Sequence, residues 1–280
     1  MDKLNILLKD FIAYLKYNEK SERTIIHYRH VINLFIKFTN DKQDKDKDIT
    51  KYNVIEFKAN ITDKYMPSTV TNYITIINKF LKYLEYEDIT VKNIKLQQKS
   101  SLNEVLEPNE YKRLVRKAKQ LNQIDLYLIM KIIAYTGIRI GELKYFTVAN
   151  IKSNYIRVTN KGKTRNIIVR QDLKRELVNY CKSNNIKDGY IFTGSDGVRS
   201  LGDSTIWKRL KKLTGQCRGI NKSKVHAHSF RHLFAIKFLD DGGDITELAD
   251  ILGHSSINTT RIYTRTTDKM KKDKLERMKY

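Results

Sequence analysis

A chain of 280 residues with 40% hydrophobic content can bury a sizeable core, and its length fits two compact units better than one. Its 54 Lys and Arg against 31 Asp and Glu leave a net charge of +23, which points to a polyanion, nucleic acid first, because each neutralised phosphate releases condensed counterions. No apolar run approaches the roughly 20 residues of a membrane helix, and charges interrupt the N-terminal segment MDKLNILLKDF where a signal core would lie. Cys181 and Cys217 stand far apart and match no metal-ligand or redox spacing, so neither a zinc site nor a disulfide framework is expected.

Apolar residues recur at helical spacing over Leu4 to Tyr17, Thr24 to Phe38, Val54 to Ile61 and Val70 to Leu84, which predicts a four-helix unit within residues 1–91. Ser21 and Ser68 stand at N-cap positions, the second directly after Pro67, and the run DKQDKDKD at 41–48 reads as a solvated connector. Residues 92–106, with weak periodicity and a Ser pair, read as an interdomain linker. That leaves 107–280 as a second domain.

In the second domain, Glu107-Pro108-Asn109-Glu110 opens a helix, and Leu126 to Tyr135 forms another that ends at Gly137. The period then changes. Tyr155 to Val158 and Ile167 to Val169 flank a Lys- and Gly-containing turn at 160–165, which predicts a β-hairpin. Helices resume at about 171–183, 204–213 and 229–240. Asp244-Ile245-Thr246-Glu247 has the form of a capping box for a short helix that Gly253 stops, and a further helix begins near Ser255 or Ser256. Gly242-Gly243 lacks the Lys-Ser/Thr of a phosphate loop and reads as a helix break.

Four of the six histidines fall between 226 and 254, in a stretch that holds His228-Ser229-Phe230-Arg231-His232 and Leu252-Gly253-His254. On a helix, positions 228 and 231 share a face, so an imidazole and a guanidinium can address one anion together. Metal ligation is the rival, but neither an HExxH spacing nor an acidic pair accompanies the cluster. Taken singly, each residue has an ordinary explanation as a cap, a buried ion pair or a turn residue. The ordered set differs. It runs from Thr136-Gly137-Ile138-Arg139-Ile140-Gly141-Glu142-Leu143, through Lys161 and His228-x-x-Arg231, to Leu252-Gly253-His254 and Tyr263 nine residues on.

In that order and spacing the chain resembles the tyrosine recombinase (integrase) family, of the short Xer-like kind. The motifs run from Thr136 to Thr264, and Ser21-Glu22-Arg23-Thr24 with Tyr28 and Phe35 resembles the family's N-terminal core-binding domain. The resemblance implies a mainly α fold with a small β-sheet: a two-domain DNA clamp with a helical core-binding domain and a tyrosine recombinase catalytic domain. It implies that Arg139, Lys161, His228, Arg231 and His254 surround the scissile phosphate, that Tyr263 is the nucleophile and that Glu142 supports Arg139. Arg23, Thr24, Lys163 and Arg165 are the DNA-contacting candidates. The hairpin turn is one residue shorter than the family pattern, so Lys163 stays an alternative to Lys161. Val225-His226-Ala227 stands where a Ser/Thr-Pro pair often precedes the histidine, with a surface or DNA-backbone contact expected of His226.

The implied partners are double-stranded DNA with inverted half-sites and a homotetramer on two duplexes that passes through a Holliday junction. No metal, no nucleotide cofactor and no membrane are expected, and the location is cytoplasmic, with the nucleoid. With no room before the core-binding helices for an arm-binding domain, a simple Xer-like or small-element recombinase is expected. The tail after Tyr263, with Thr267-Asp268 as a cap, is expected to form a short helix that docks on a neighbouring protomer. A type IB topoisomerase and a non-catalytic DNA-binding regulator are the rivals.

The chemistry stands without the family name. Attack on a phosphodiester builds charge on the non-bridging oxygens, and two arginines can grip both through planar forks. A Tyr phenol titrates near 10, but neighbouring cations favour the ionised nucleophile, and His228 can accept its proton. A lysine on the hairpin can protonate the departing 5′ oxygen. A 3′-phosphotyrosyl bond conserves the energy of the broken linkage, so rejoining needs no ATP.

Overall fold

A computed structural model of the chain describes residues 3–42, 49–94, 105–153, 155–160, 163–264, 276 and 278. It divides into two compact units, Met1–Gln98 and Lys99–Tyr280. The first is all-helical: α1 (Lys3–Tyr17), α2 (Glu22–Lys42), α3 (Lys51–Thr62) and α4 (Pro67–Tyr83), followed by a 3₁₀ turn at Glu87–Ile89. Its core is built from the apolar stripe of each helix. Phe11 packs on Phe80 and Tyr83 with ring centroids 5.3 and 5.1 Å apart, and Phe35 meets Phe57 edge-on at 5.1 Å. Ile32, Val54, Val70, Ile74 and Ile77 fill the space between them.

Local caps explain where these helices begin. Ser21 caps α2, its Oγ accepting from the Thr24 amide at 3.3 Å and sharing a hydrogen bond with the Thr24 hydroxyl at 2.8 Å. Ser68 does not cap α4. The helix already starts at Pro67, with Met66 at the N-cap, because a proline needs no amide partner in the first turn. Asp41 and Lys42 continue α2 where a connector was expected, and 43–48 lie outside the described residues. Both described ends of the expected linker are bound to a unit. Lys58 Nζ donates to the Lys92 carbonyl at 2.7 Å in the first, whereas Leu106 is fully buried in the core of the second.

The second unit begins with α5 (Pro108–Gln120), which starts at a Glu107/Glu110 capping box, and α6 (Ile124–Thr136). Along α6 the residues from Leu126 to Ile133 are buried on every face, the mark of a central core helix. The one charge among them, Lys131, is compensated by Glu176 at 2.9 Å. A 3₁₀ helix (Ile140–Tyr145) and the short α7 (Val148–Lys152), neither of them expected, lead to the hairpin. Its strands β1 (Tyr155–Asn160) and β2 (Lys163–Ile168) are antiparallel, with Ile156 opposite Ile167 and Val158 opposite Arg165. The ladder extends further toward the turn than the sequence indicated, so Lys163 is already in a strand.

Then follow α8 (Gln171–Ser183), α9 (Asp203–Gly215), α10 (Ala227–Asp240), α11 (Ile245–Leu252), α12 (Ile257–Thr260) and a 3₁₀ turn at Arg261–Thr264. Asp244 caps α11 and Ser256 caps α12 through their side-chain oxygens. α10 lies against α6, which brings its basic and histidine face to the end of α6. No helix of the described residues is long and apolar enough to cross a membrane. The expected tail helix falls largely outside the described residues.

Candidate active site

Two helices end on left-handed glycines, and the site is built between those ends. Gly137 closes α6 at φ +63° and Gly253 closes α11 at φ +63°. A Cβ on Gly137 would stand 2.5 Å from the Phe234 ring and has no space, whereas one on Gly253 would crowd the Arg165 side chain at 3.0 Å.

A helix C-terminus leaves carbonyls without intrahelical partners and carries a partial negative charge. In α11 the Ala249 and Asp250 carbonyls are taken by the amides of the C-cap turn. The next three go to three different arginines. Arg165 Nε donates to Ile251 O at 3.0 Å, Arg231 Nη2 to Leu252 O at 2.8 Å and Arg139 Nη2 to Gly253 O at 3.2 Å. Arg231 is 1% exposed and also donates through Nη1 to Gly137 O at 2.6 Å, so it staples the two glycine-closed ends together. Its Nε is buried with no partner among the described residues, a donor still available to an anion. Burial, then the charge of Arg139, lowers the Arg231 pKa to about 10, so the guanidinium remains charged at neutral pH.

Glu142 is 2% exposed and anchors the other two arginines. Arg165 grips it with both fork ends, Nη1 to Oε1 at 2.8 Å and Nη2 to Oε2 at 2.7 Å. The Arg139 amide donates to Oε2 at 2.8 Å, while its guanidinium lies 3.4 Å from Oε1. Burial pushes the Glu142 carboxyl up, but the bonds from Arg165 and from the Arg139 amide outweigh it and hold the pKa below the ordinary value.

The imidazoles fill the space beside these cations. His254 Nε2 lies 2.9 Å from Arg231 Nη2, and a guanidinium only donates, so Nε2 accepts and Nδ1 carries the proton toward the buried Thr260 hydroxyl at 2.8 Å. His254 therefore acts here as an acceptor. His232 meets both His228 and Tyr263 edge-on, with centroid separations of 4.6 and 5.0 Å. Tyr263 is 4% exposed, parallel to the His254 ring at 6.4 Å, and packs on Ala235, Leu248 and Leu252.

The pKa directions suit a nucleophile that needs a base. Burial raises the Tyr263 phenol above its ordinary value, and although Arg231 and Arg139 pull it down, burial wins. The cations alone therefore do not ionise it, contrary to the sequence-based expectation. His228 is held below its ordinary value by burial, then by Arg231, His226 and Arg139, and so is neutral and able to accept a proton at pH 7.

Burial, with its cationic neighbours, also lowers His232 and His254 from 6.5 to about 4. Both folded values lie below the unfolded one, so unfolding takes up protons in that window. Their contribution is complete above pH 6.5 and is lost as pH falls toward 4. We expect the melting temperature to drop between about pH 7 and about pH 5, above the range where the depressed carboxylates titrate. A melting temperature that stays constant over that interval would refute the burial of the two neutral rings.

Among the expected site residues, Arg139, Glu142, His228, Arg231, His254 and Tyr263 come together in the second unit. Lys161 lies outside the described residues, and Lys163 is placed only as the β2 residue opposite Asn160. Arg165, expected at DNA, instead turns its fork inward onto Glu142, because it shares the strand face of buried Ile167 and Val169. Arg23 and Thr24 stand in the first turn of α2, where the Thr24 hydroxyl is engaged by Ser21. His226 occupies the N-cap of α10, its carbonyl accepting from the Ser229 amide at 2.9 Å. His232 and Thr260 were missed, although His232 is four residues beyond His228 on the same helical face. Cys181 and Cys217 are free thiols, and no group of three metal-ligating side chains occurs among the described residues.

Comparison with known proteins agrees with this geometry. Residues 104–270 match the phage integrase family, and residues 8–88 match the phage integrase N-terminal SAM-like domain. The tyrosine recombinase XerA of Pyrococcus furiosus is 29% identical, over 97% of this chain and 93% of its own length. XerD of Oceanobacillus iheyensis is 27% identical, over 96% and 97%. In fold, the chain resembles the XerH site-specific recombinase in its post-cleavage complex with palindromic difH substrate, with TM-score 0.73 and 22% identity over 90% of this chain and 78% of that one. The chain belongs to the phage integrase family and is a DNA strand-transferring enzyme of the tyrosine recombinase type.

Proposed function

We propose that the chain cuts and rejoins double-stranded DNA at a specific site, with Tyr263 as nucleophile. The observation that carries this reading is the gathering of Arg139, Arg231, His228 and His254 around a buried tyrosine. Arg139 and the unpartnered Arg231 Nε bind the non-bridging oxygens of the scissile phosphate and stabilise their growing charge. The Tyr263 oxygen forms the new bond to phosphorus as the bond to the 5′ oxygen breaks. His228 accepts the phenol proton, and Lys161, or Lys163 in its place, gives one to the departing oxygen. Rejoining reverses each step. Glu142 holds Arg139 through its backbone amide, and His254 holds Arg231.

Each of the two units, a core-binding domain near 1–91 and a catalytic domain near 107–280, binds the duplex, with Arg23 and Thr24 on the DNA side of the first. Two protomers occupy inverted half-sites, and four on two duplexes exchange strands through a Holliday junction. The palindromic substrate of the related XerH supports the half-site symmetry. The enzyme works in the cytoplasm with the nucleoid and without metal or nucleotide cofactor.

The test is a nicked suicide substrate, which releases a short fragment on cleavage and so traps the covalent enzyme. The expected result with wild-type protein is a protein–DNA adduct stable on a denaturing gel, at a preferred position in the sequence. Relaxation of supercoils with no site preference would favour a topoisomerase, and no adduct on any DNA would favour a non-catalytic DNA-binding protein.

A further inference from the structure

Glu142 presents a buried carboxylate next to the guanidinium that is to bind phosphate. Such a carboxylate competes with the substrate, because a close bidentate pair with Arg139 would withdraw the cation from the anion it must stabilise. The geometry shows how this is avoided. Both carboxylate oxygens are filled by the Arg165 fork at 2.8 and 2.7 Å, and one also takes the Arg139 amide, so the Arg139 guanidinium keeps only a single long hydrogen bond to Oε1, at 3.4 Å. The Arg139 side chain is 35% exposed, while that of Arg165 is 14% exposed.

We propose that Arg165 is a positioning residue: it saturates Glu142, so that Glu142 orients the Arg139 backbone and holds its guanidinium only by one long bond instead of a close bidentate pair. The proposal rests on the phosphate-binding role of Arg139. Three further features support it. Arg165 lies on the inward strand face with Ile167 and Val169, which fixes its direction. Its Nε is tied to the Ile251 carbonyl, so the fork cannot swing out toward DNA without breaking a bond to α11. Gly253 provides the space for its side chain, since a Cβ there would approach the Arg165 Cδ to 3.0 Å. One arginine thus links the hairpin, the start of the 3₁₀ helix and the residue before His254.

Single-turnover cleavage of the suicide substrate at saturating DNA tests the idea in Arg165→Gln, Glu142→Gln and the double variant, with DNA affinity and melting temperature measured alongside. Removing Arg165 frees Glu142 to seize Arg139, so Arg165→Gln slows cleavage by about tenfold or more with little change in affinity. Removing the carboxylate as well abolishes the competition, so the double variant cleaves faster than Arg165→Gln. A merely structural role predicts that the two losses multiply, and that outcome overturns the proposal. A DNA-contact role predicts weakened affinity with an unchanged rate at saturation, which also overturns it. If Arg165→Gln does not fold, Arg165→Lys, which keeps the charge but not the fork, replaces it in the same cycle. Arg139→Ala separates the two levels: wild-type cleavage by that variant would remove the phosphate-binding reading itself, whereas a slow Arg139→Ala with multiplying losses removes only the role of Arg165.

Discussion

Tyr263→Phe is expected to yield no covalent adduct while binding DNA with nearly wild-type affinity. The substitution removes one oxygen and leaves the ring. That ring is what packs against Ala235, Leu248 and Leu252 and meets His232 at 5.0 Å, so the fold around it keeps its contacts. The chemistry, by contrast, needs the hydroxyl absolutely, because its oxygen is the atom that bonds to phosphorus. The measurement is adduct formation on a nicked suicide substrate by both proteins at equal DNA occupancy, with melting temperatures as a control. Any adduct from the variant would show that another residue attacks the phosphate and would remove the assignment.

The sequence made most of this site legible because its parts are written in local signals. Gly137 and Gly253 mark helix ends, and positions 228 and 231 mark one helical face. The order of Arg139, His228, Arg231, His254 and Tyr263 carries the rest. What stayed hidden depends on direction and on long-range pairing. Arg165 looked like a DNA contact because a basic residue near a Lys-rich turn suggests one, yet strand parity with Ile167 and Val169 turns it inward. His232 and Thr260 gain meaning only once α10 and α12 meet, with Thr260 fixing the His254 tautomer. Burial of Tyr263 could not be read from a segment, INTTRIYT, that is largely polar, and burial is what reverses its expected pKa shift. In the first unit, the helices followed from periodicity, whereas the start of α4 turned on whether Pro67 or Ser68 opens it, a one-residue choice that propensity does not settle.

Arg231→Ala is expected to slow cleavage by a hundredfold or more, equivalent to losing about 3 kcal/mol of preorganised charge stabilisation. It is also expected to lower the melting temperature, because this side chain has two duties. As a staple it satisfies the carbonyls of Gly137 and Leu252, and truncation leaves both buried acceptors unmet, each at a cost of about 1–3 kcal/mol. As a catalyst it offers the Nε that has no partner among the described residues, and its charge draws the Tyr263 pKa down against burial. The two duties separate in Arg231→Lys. A lysine retains a charge and can reach one carbonyl, so it recovers much of the stability, but it cannot satisfy two carbonyls and grip a phosphate at once. Cleavage by Arg231→Lys, measured below its own melting transition, therefore stays far below wild type although the protein is folded. If the rate of either variant, corrected for its folded fraction, equalled that of wild type, Arg231 would be a staple alone and the phosphate would have to be held by Arg139 and the histidines.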